Sequence, residues 1–139
     1  MNKNFTFPIR IYYEDTDAGG IVYHANYLKF AERARTEALR SLGLSQSYFL
    51  REYKTSLIVY ACELNYLAPS YLDDILEVRT CFKKAGHVRL ELSQLIMRED
   101  QKIATLDVVL ACVNSEGKPV RLLSDLRRLL TDFGENNNG

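Results

Sequence analysis

One long helical pattern, followed by four runs of strict alternation, is the feature that most restricts what this chain can become. From Asn26 to Leu42 the apolar residues Tyr27, Phe30, Ala31, Ala34, Ala38, Leu39 and Leu42 recur at three- and four-residue steps. At 1.5 Å per residue that pattern predicts a helix roughly 25 Å long. Lys29, Glu32, Arg33, Glu37 and Arg40 occupy much of the remaining face, and Gly43 stands where a helix commonly ends in a glycine. The alanines on the apolar side predict a close approach to a sheet. Beyond Tyr53 the period becomes two. In Thr55–Leu67, Ile58, Tyr60, Cys62, Leu64 and Tyr66 are expected to point one way, with Glu63 and Asn65 opposite. Ile75–Lys83 and His87–Arg98 alternate in the same manner. In Lys102–Asn114 the run Val108–Val113 is apolar on both faces, which predicts an interior strand or one buried against another subunit.

Ahead of the helix, Phe7–Tyr13 reads as a first strand, with Pro8 near its start. Leu44–Tyr53 reads as a connector with a helical turn. Leu122, Leu126, Leu129, Leu130 and Phe133 predict a short amphipathic helix at the end. Four strands joined by short turns suggest an antiparallel meander, and the single long helix must cover its apolar face. The expected class is therefore α+β, in one domain over residues 1–133, with a frayed polar tail at 134–139. A chain of 139 residues can bury a core of this kind without covalent staples.

The totals remove several classes of function. Eighteen basic residues balance eighteen acidic ones, so no global charge points to nucleic acid or an anionic membrane. Cys62, Cys81 and Cys112 have no metal-ligand spacing and lie in apolar strand-like runs, so they read as reduced core residues of a reducing compartment. No apolar run reaches the length of a membrane span, and the N-terminus lacks a signal-like apolar region. A cytoplasmic protein is expected.

Between the first strand and the long helix lies Tyr12-Tyr13-Glu14-Asp15-Thr16-Asp17-Ala18-Gly19-Gly20-Ile21-Val22-Tyr23-His24-Ala25-Asn26-Tyr27. Three acids, two glycines, a histidine and several tyrosines are more special residues than a connector requires, and loops on rigid flanks are where chemistry concentrates. A helix starting near Asn26 leaves amides around Tyr23 to Tyr27 without intrahelical partners, at the positive end of the helix dipole. Such donors can hold a developing oxyanion. Asp17, folded back beside them, would supply a base or nucleophile for acyl transfer. Asp15 reads as a turn residue. For Asp17, turn bonding and catalysis stay open. So do catalysis, carbonyl donation and a helix-start role for His24. A metal held by Asp15, Asp17 and His24 is disfavoured by the lack of a second histidine nearby. No Gly-x-Ser-x-Gly pattern supports a serine nucleophile, and cysteines inside apolar strands are poor ones. His87, at a strand start, reads as solvent-facing.

The stretch Tyr12–Tyr27, followed by Glu32-Arg33-Ala34-Arg35-Thr36-Glu37, resembles the hotdog-fold acyl-CoA thioesterases, specifically the Tol–Pal-associated group related to 4-hydroxybenzoyl-CoA thioesterase. The strand–helix–four-strand order resembles that family over nearly the whole chain. The resemblance implies a hotdog fold: a five-stranded antiparallel sheet wrapped around one long helix. It makes Asp17 the catalytic carboxylate, with His24 and Tyr13 as contributors. It also implies coenzyme A contacts, for which Tyr23, Asn26, Lys83, Lys84 and Arg89 are the candidates. No separate cofactor or metal is implied, since coenzyme A is part of the substrate. The resemblance further implies a homodimer that pairs into a homotetramer, a cytoplasmic setting near the inner membrane, and acyl carrier protein or phospholipid-synthesis proteins as partners. Two other activities compete: a hydratase or dehydratase on the same fold, and a non-catalytic module that binds acyl-CoA or acyl carrier protein.

Overall fold

The computed structural model describes residues 5–130. Phe133 and the tail at 134–139 lie outside the described residues. Strand β1 spans Phe5–Arg10, helix α1 Asn26–Ser41, helix α2 Gln46–Tyr53, β2 Thr55–Tyr66, β3 Ile75–Ala85, β4 Arg89–Arg98 and β5 Gln101–Asn114. Residues 124–130 are helical. The connector at 44–53 thus contains two full turns of helix. Ser45 caps α2, its hydroxyl accepting from the Tyr48 amide at 3.1 Å. Gly43, at φ +77, ends α1 where expected, in the left-handed conformation that a side chain would strain.

All the strand pairs are antiparallel, and the order across the sheet is β1-β3-β4-β5-β2. This corrects the expected four-strand meander. Only β3, β4 and β5 follow one another as hairpins, while β2 pairs with β5 and the chain then crosses the sheet to reach β3 beside β1. The crossing segment is Leu67–Asp74, and it passes the start of α1, where the Val22 amide donates to the Ser70 carbonyl at 2.9 Å. The connection is therefore tied to the loop ahead of α1 and is not only a link between strands.

Helix α1 lies on the concave face and rests mainly against β1 and β3. Its buried residues are Tyr27, Phe30, Ala31, Ala34, Arg35, Ala38 and Leu39, the expected stripe with one arginine added. The three alanines bring the helix backbone close to the sheet. Phe30 and Leu39 are each almost wholly buried, a contribution of about 1.5–3 kcal/mol apiece. Facing them are Leu76, Val78 and Phe82 from β3, Leu90, Leu92 and Ile96 from β4, and Leu106, Val108 and Leu110 from β5. β5 lies between β4 and β2, the interior position that its apolar run predicts.

β2 departs from its expected alternation. The register shifts between Val59 and Ala61, so that Ile58 pairs with Ala111 while Cys62 pairs with Val108. A bulge of this kind inserts one unpaired residue, here Tyr60, and reverses the facing of everything beyond it. Ile58 and Cys62 consequently face opposite sides of the sheet, and only Cys62, Leu64 and Tyr66 share the concave side. Cys62 is exposed and Cys81 half-buried; Cys112 alone is a core cysteine, so the reading of three core cysteines is corrected. Burial still pushes the Cys62 and Cys112 thiols up from their ordinary range. Among the described residues no helix is long and apolar enough to cross a membrane.

Candidate active site

Two tight turns fill the space between β1 and α1. In the first, a 3-10 turn at Tyr13–Asp15, the Asp15 amide donates to the Tyr12 carbonyl at 3.0 Å and Asp15 Oδ2 accepts from the Tyr12 amide at 2.9 Å. Asp15 Oδ1 accepts from Asn26 Nδ2 at 2.8 Å, and the Asp15 carbonyl accepts from the Tyr23 amide at 2.8 Å. Asp15 is thus buried and its carboxylate engaged on both oxygens, which makes it the bracket between β1 and the start of α1. Its reading as a turn residue holds.

The second turn is a miniature hairpin closed by the bridge between Thr16 and Val22. The Asp17 amide donates to the Ile21 carbonyl at 2.8 Å and the Gly20 amide to the Asp17 carbonyl at 3.0 Å. Gly20 adopts φ +86, so a residue without a β-carbon suits this corner. Asp17 Oδ1 accepts from the Gly19 amide at 2.8 Å, which orients the carboxylate. Its second oxygen has no hydrogen-bond partner among the described residues.

That carboxylate lines a cavity of about 540 Å³ together with Ile21, Val22, His24, Tyr27, Tyr66 and the crossing residues Leu67, Ala68 and Pro69. The Tyr66 hydroxyl donates to the His24 carbonyl at 2.9 Å, tying the end of β2 to the residue just before α1. The His24 ring lies 4.5 Å from the Tyr23 ring and 6.4 Å from that of Tyr66, centroid to centroid. Behind them the hydroxyls of Tyr27 and Ser70 share a buried hydrogen bond of 2.6 Å. Burial raises the Tyr27 hydroxyl above its ordinary range, although the Ser70 contact opposes this, so the wall stays neutral.

The expected row of free amides at the helix start needs one correction. The Tyr23 amide is committed to the Asp15 carbonyl and cannot serve as an oxyanion donor. The amides of His24 and Ala25 have no acceptor among the described residues. Asp17 and His24, seven residues apart, are brought into one cavity. Tyr13 is not: it is 82% exposed and outside that wall. Tyr23 is exposed, and the Asn26 side-chain nitrogen is engaged by Asp15. Tyr27 closes the stretch singled out in the sequence, whereas Tyr66 and the Leu67–Pro69 wall gave no sign of it, since they belong to a strand and its exit about fifty positions from Asp17.

The basic candidates divide. Lys84 and Arg89 line a second cleft of about 480 Å³ on the convex face with His87 and Tyr60, and the Arg89 guanidinium lies 4.0 Å above the Tyr60 ring. Lys83 points elsewhere and meets Asp107 at 3.6 Å. Among the described residues no three His, Cys, Asp or Glu side chains gather closely enough to hold a metal ion.

Residues 12–130 match the family described as the thioesterase-like superfamily. The chain is 39% identical to an acyl-CoA thioesterase, YbgC, of Haemophilus influenzae over 91% of this chain and 94% of that protein. It is 41% identical to an acyl-CoA thioester hydrolase, also YbgC, of Escherichia coli over 79% of this chain and 82% of that protein. A crystal structure of a probable thioesterase from Bartonella henselae superposes with a TM-score of 0.84 at 33% identity, covering 87% of this chain and all of the other.

Proposed function

We propose that this chain, which belongs to the thioesterase-like superfamily, hydrolyses an acyl-CoA thioester to a carboxylic acid and coenzyme A, with Asp17 as the catalytic carboxylate. The observation that carries the reading is the shared cavity: a carboxylate with one unbonded oxygen faces the start of α1 across a largely apolar hollow. In the general-base form, Asp17 takes a proton from a water whose oxygen adds to the thioester carbon. The carbonyl oxygen gains the negative charge and meets the His24 and Ala25 amides, where the helix dipole adds to the hydrogen bonds. Collapse of the adduct breaks the carbon–sulfur bond, and the proton on Asp17 returns to the departing thiolate. Thiolate is a good leaving group, so one carboxylate and one donor set suffice without a triad.

Around that centre we assign supporting roles. His24 orients water or substrate, and Tyr13, too exposed to act in its own subunit's cavity, is assigned to substrate contact where two subunits join. Tyr23 and Asn26 frame the mouth. The coenzyme A phosphates fall to Lys84 and Arg89, which share a cleft, and more weakly to Lys83, which Asp107 already engages. The long apolar edge of β2 supports a homodimer, with pairing into a tetramer. A cytoplasmic setting close to the inner membrane, with acyl carrier protein or phospholipid-synthesis proteins as partners, fits the Tol–Pal-associated group.

Hydrolysis of a panel of acyl-CoAs of increasing length by Asp17→Asn and wild type tests the assignment. Asn keeps the acceptor for the Gly19 amide, so the fold is retained and kcat drops by about 10²–10⁴. Near wild-type turnover in that variant would sink the assignment.

A further inference from the structure

Arg35 is the one basic side chain of α1 that is buried, 8% exposed, and the chemistry above makes no use of it. Its Nη1 donates to Gln94 Oε1 at 3.0 Å, and Gln94 Nε2 donates in turn to the Ala31 carbonyl and to Thr80 Oγ1, both at 2.9 Å. Every acceptor in that chain of contacts is neutral. Among the described residues no carboxylate lies within ion-pairing distance of Arg35. Glu32, one turn back on the same helix, acts on it only from longer range. A guanidinium withdrawn from water normally finds a carboxylate or phosphate, because its desolvation is otherwise uncompensated. Its five donors also ask for more than one amide oxygen.

Arg35 also lines a cleft of about 460 Å³ between α1 and the start of β2. Glu32 lines the same cleft, with Ser56 and Val59 on the opposite wall. That wall belongs to a twelve-residue edge strand that no described strand covers on its outer side. Its residues are unusually apolar for an edge: Ile58 is 47% exposed and Tyr60 59%. Long apolar edges are ready templates for another chain, and most edges are blunted by charge or proline. The sheet's other edge, β1, carries Pro8.

One cleft thus holds both a guanidinium with no counter-charge within ion-pairing distance among the described residues and an exposed carboxylate three residues away on the same helix, beside a strand that no described strand covers. This arrangement is self-complementary. In a two-fold contact residue i of one copy meets residue j of the other, and j meets i. We propose that the α1–β2 cleft is a reciprocal ion-pairing site completed by a second copy of this chain, in which Arg35 of each copy receives the Glu32 carboxylate of the other. The inference rests on the two-copy reading above and adds to it the pair that sets the register. Misaligned copies would leave two guanidinia facing each other, so the pair selects one alignment.

Sedimentation equilibrium of the full chain tests both levels separately. Wild type is expected to dimerise; a monomer at every concentration would remove the two-copy reading itself. Glu32 is exposed, so Glu32→Gln folds normally, as circular dichroism can verify. Its dimer dissociation constant is expected to rise roughly tenfold or more, with a weaker dependence on salt. Glu32→Arg and Arg35→Glu, each alone, bring like charges together and weaken self-association by about a hundredfold. Mixed, they are expected to form a heterodimer at near wild-type strength, since one copy then offers only guanidinia and the other only carboxylates at these positions. A pair formed within one chain cannot produce that rescue. A dimer unchanged by Glu32→Gln, or a mixture that stays dissociated, overturns the reciprocal pair. If Arg35→Glu does not fold, the Glu32→Gln result decides by itself.

Discussion

Asp15 and Asp17 are the same side chain two positions apart, in consecutive turns, and the fold engages them differently. The first turn buries Asp15 and spends both of its oxygens on Tyr12 and Asn26. The second holds Asp17 at the surface of a cavity, oriented by a single bond from Gly19. A carboxylate engaged at every acceptor site is a structural bracket, since it has nothing left to offer a substrate. One fixed at one oxygen and open at the other is preorganised for chemistry. The difference comes from what surrounds each turn. Asp15 sits where β1 and α1 converge, and Asp17 where the Leu67–Pro69 crossing leaves a hollow.

The widest separation between the two turns is expected from paired substitutions. Asp17→Asn should lower kcat by about 10²–10⁴ with little change in melting temperature. Asp15→Ala should do the reverse. It leaves the Tyr12 amide and the Asn26 side chain without an acceptor, a cost of about 1–3 kcal/mol, read as a fall of several degrees in thermal unfolding. Activity loss from Asp15→Ala with an unchanged melting curve would break the comparison.

A smaller effect tests how finely the second turn is set. A β-carbon at Gly19 would lie 3.2 Å from Asp17 Oδ1, tight enough to displace the carboxylate slightly. Gly19→Ala should therefore cost roughly tenfold in kcat, since small misplacements of a reacting group are expensive, while thermal stability stays close to wild type. Equal turnover would show that the aim of Asp17 is looser than its bond to Gly19 implies. The smallest effect concerns the cavity wall. Burial raises the Tyr27 hydroxyl above its reference value of 10.0, so the folded state prefers it neutral. The associated stability is fully present below about pH 10 and is lost as pH rises through the higher folded value. Urea unfolding between pH 9 and 11 should show that decline in wild type, and Tyr27→Phe should lose this component of it.

Much of this was legible in the chain. The stripe from Tyr27 to Leu39, the alternations of β3, β4 and β5, and the glycine closing α1 each follow from local periodicity, which depends only on neighbours in sequence. The special loop declared itself by composition, and the motif it carries marked Asp17 and His24. Less accessible were the bulge at Tyr60, the placement of β2 beside β5, and the exposure of Cys62. A bulge depends on which partner strand is met, and strand order depends on where an eight-residue crossing finds room; neither leaves a periodic trace. Tyr66 was invisible as a site residue for the same reason.

The sequence by itself determined the elements, the apolar face of the single long helix and the loop that carries the proposed chemistry, because these depend on side-chain period and on a short contiguous motif. Only the tertiary structure decided which of two neighbouring carboxylates is committed, that the Tyr23 amide is taken while those of His24 and Ala25 lack an acceptor among the described residues, and that Arg35 is buried beside an edge strand that no described strand covers. Those outcomes depend on hydrogen bonds and desolvation between segments far apart in the chain, and such competition is resolved only once the segments meet.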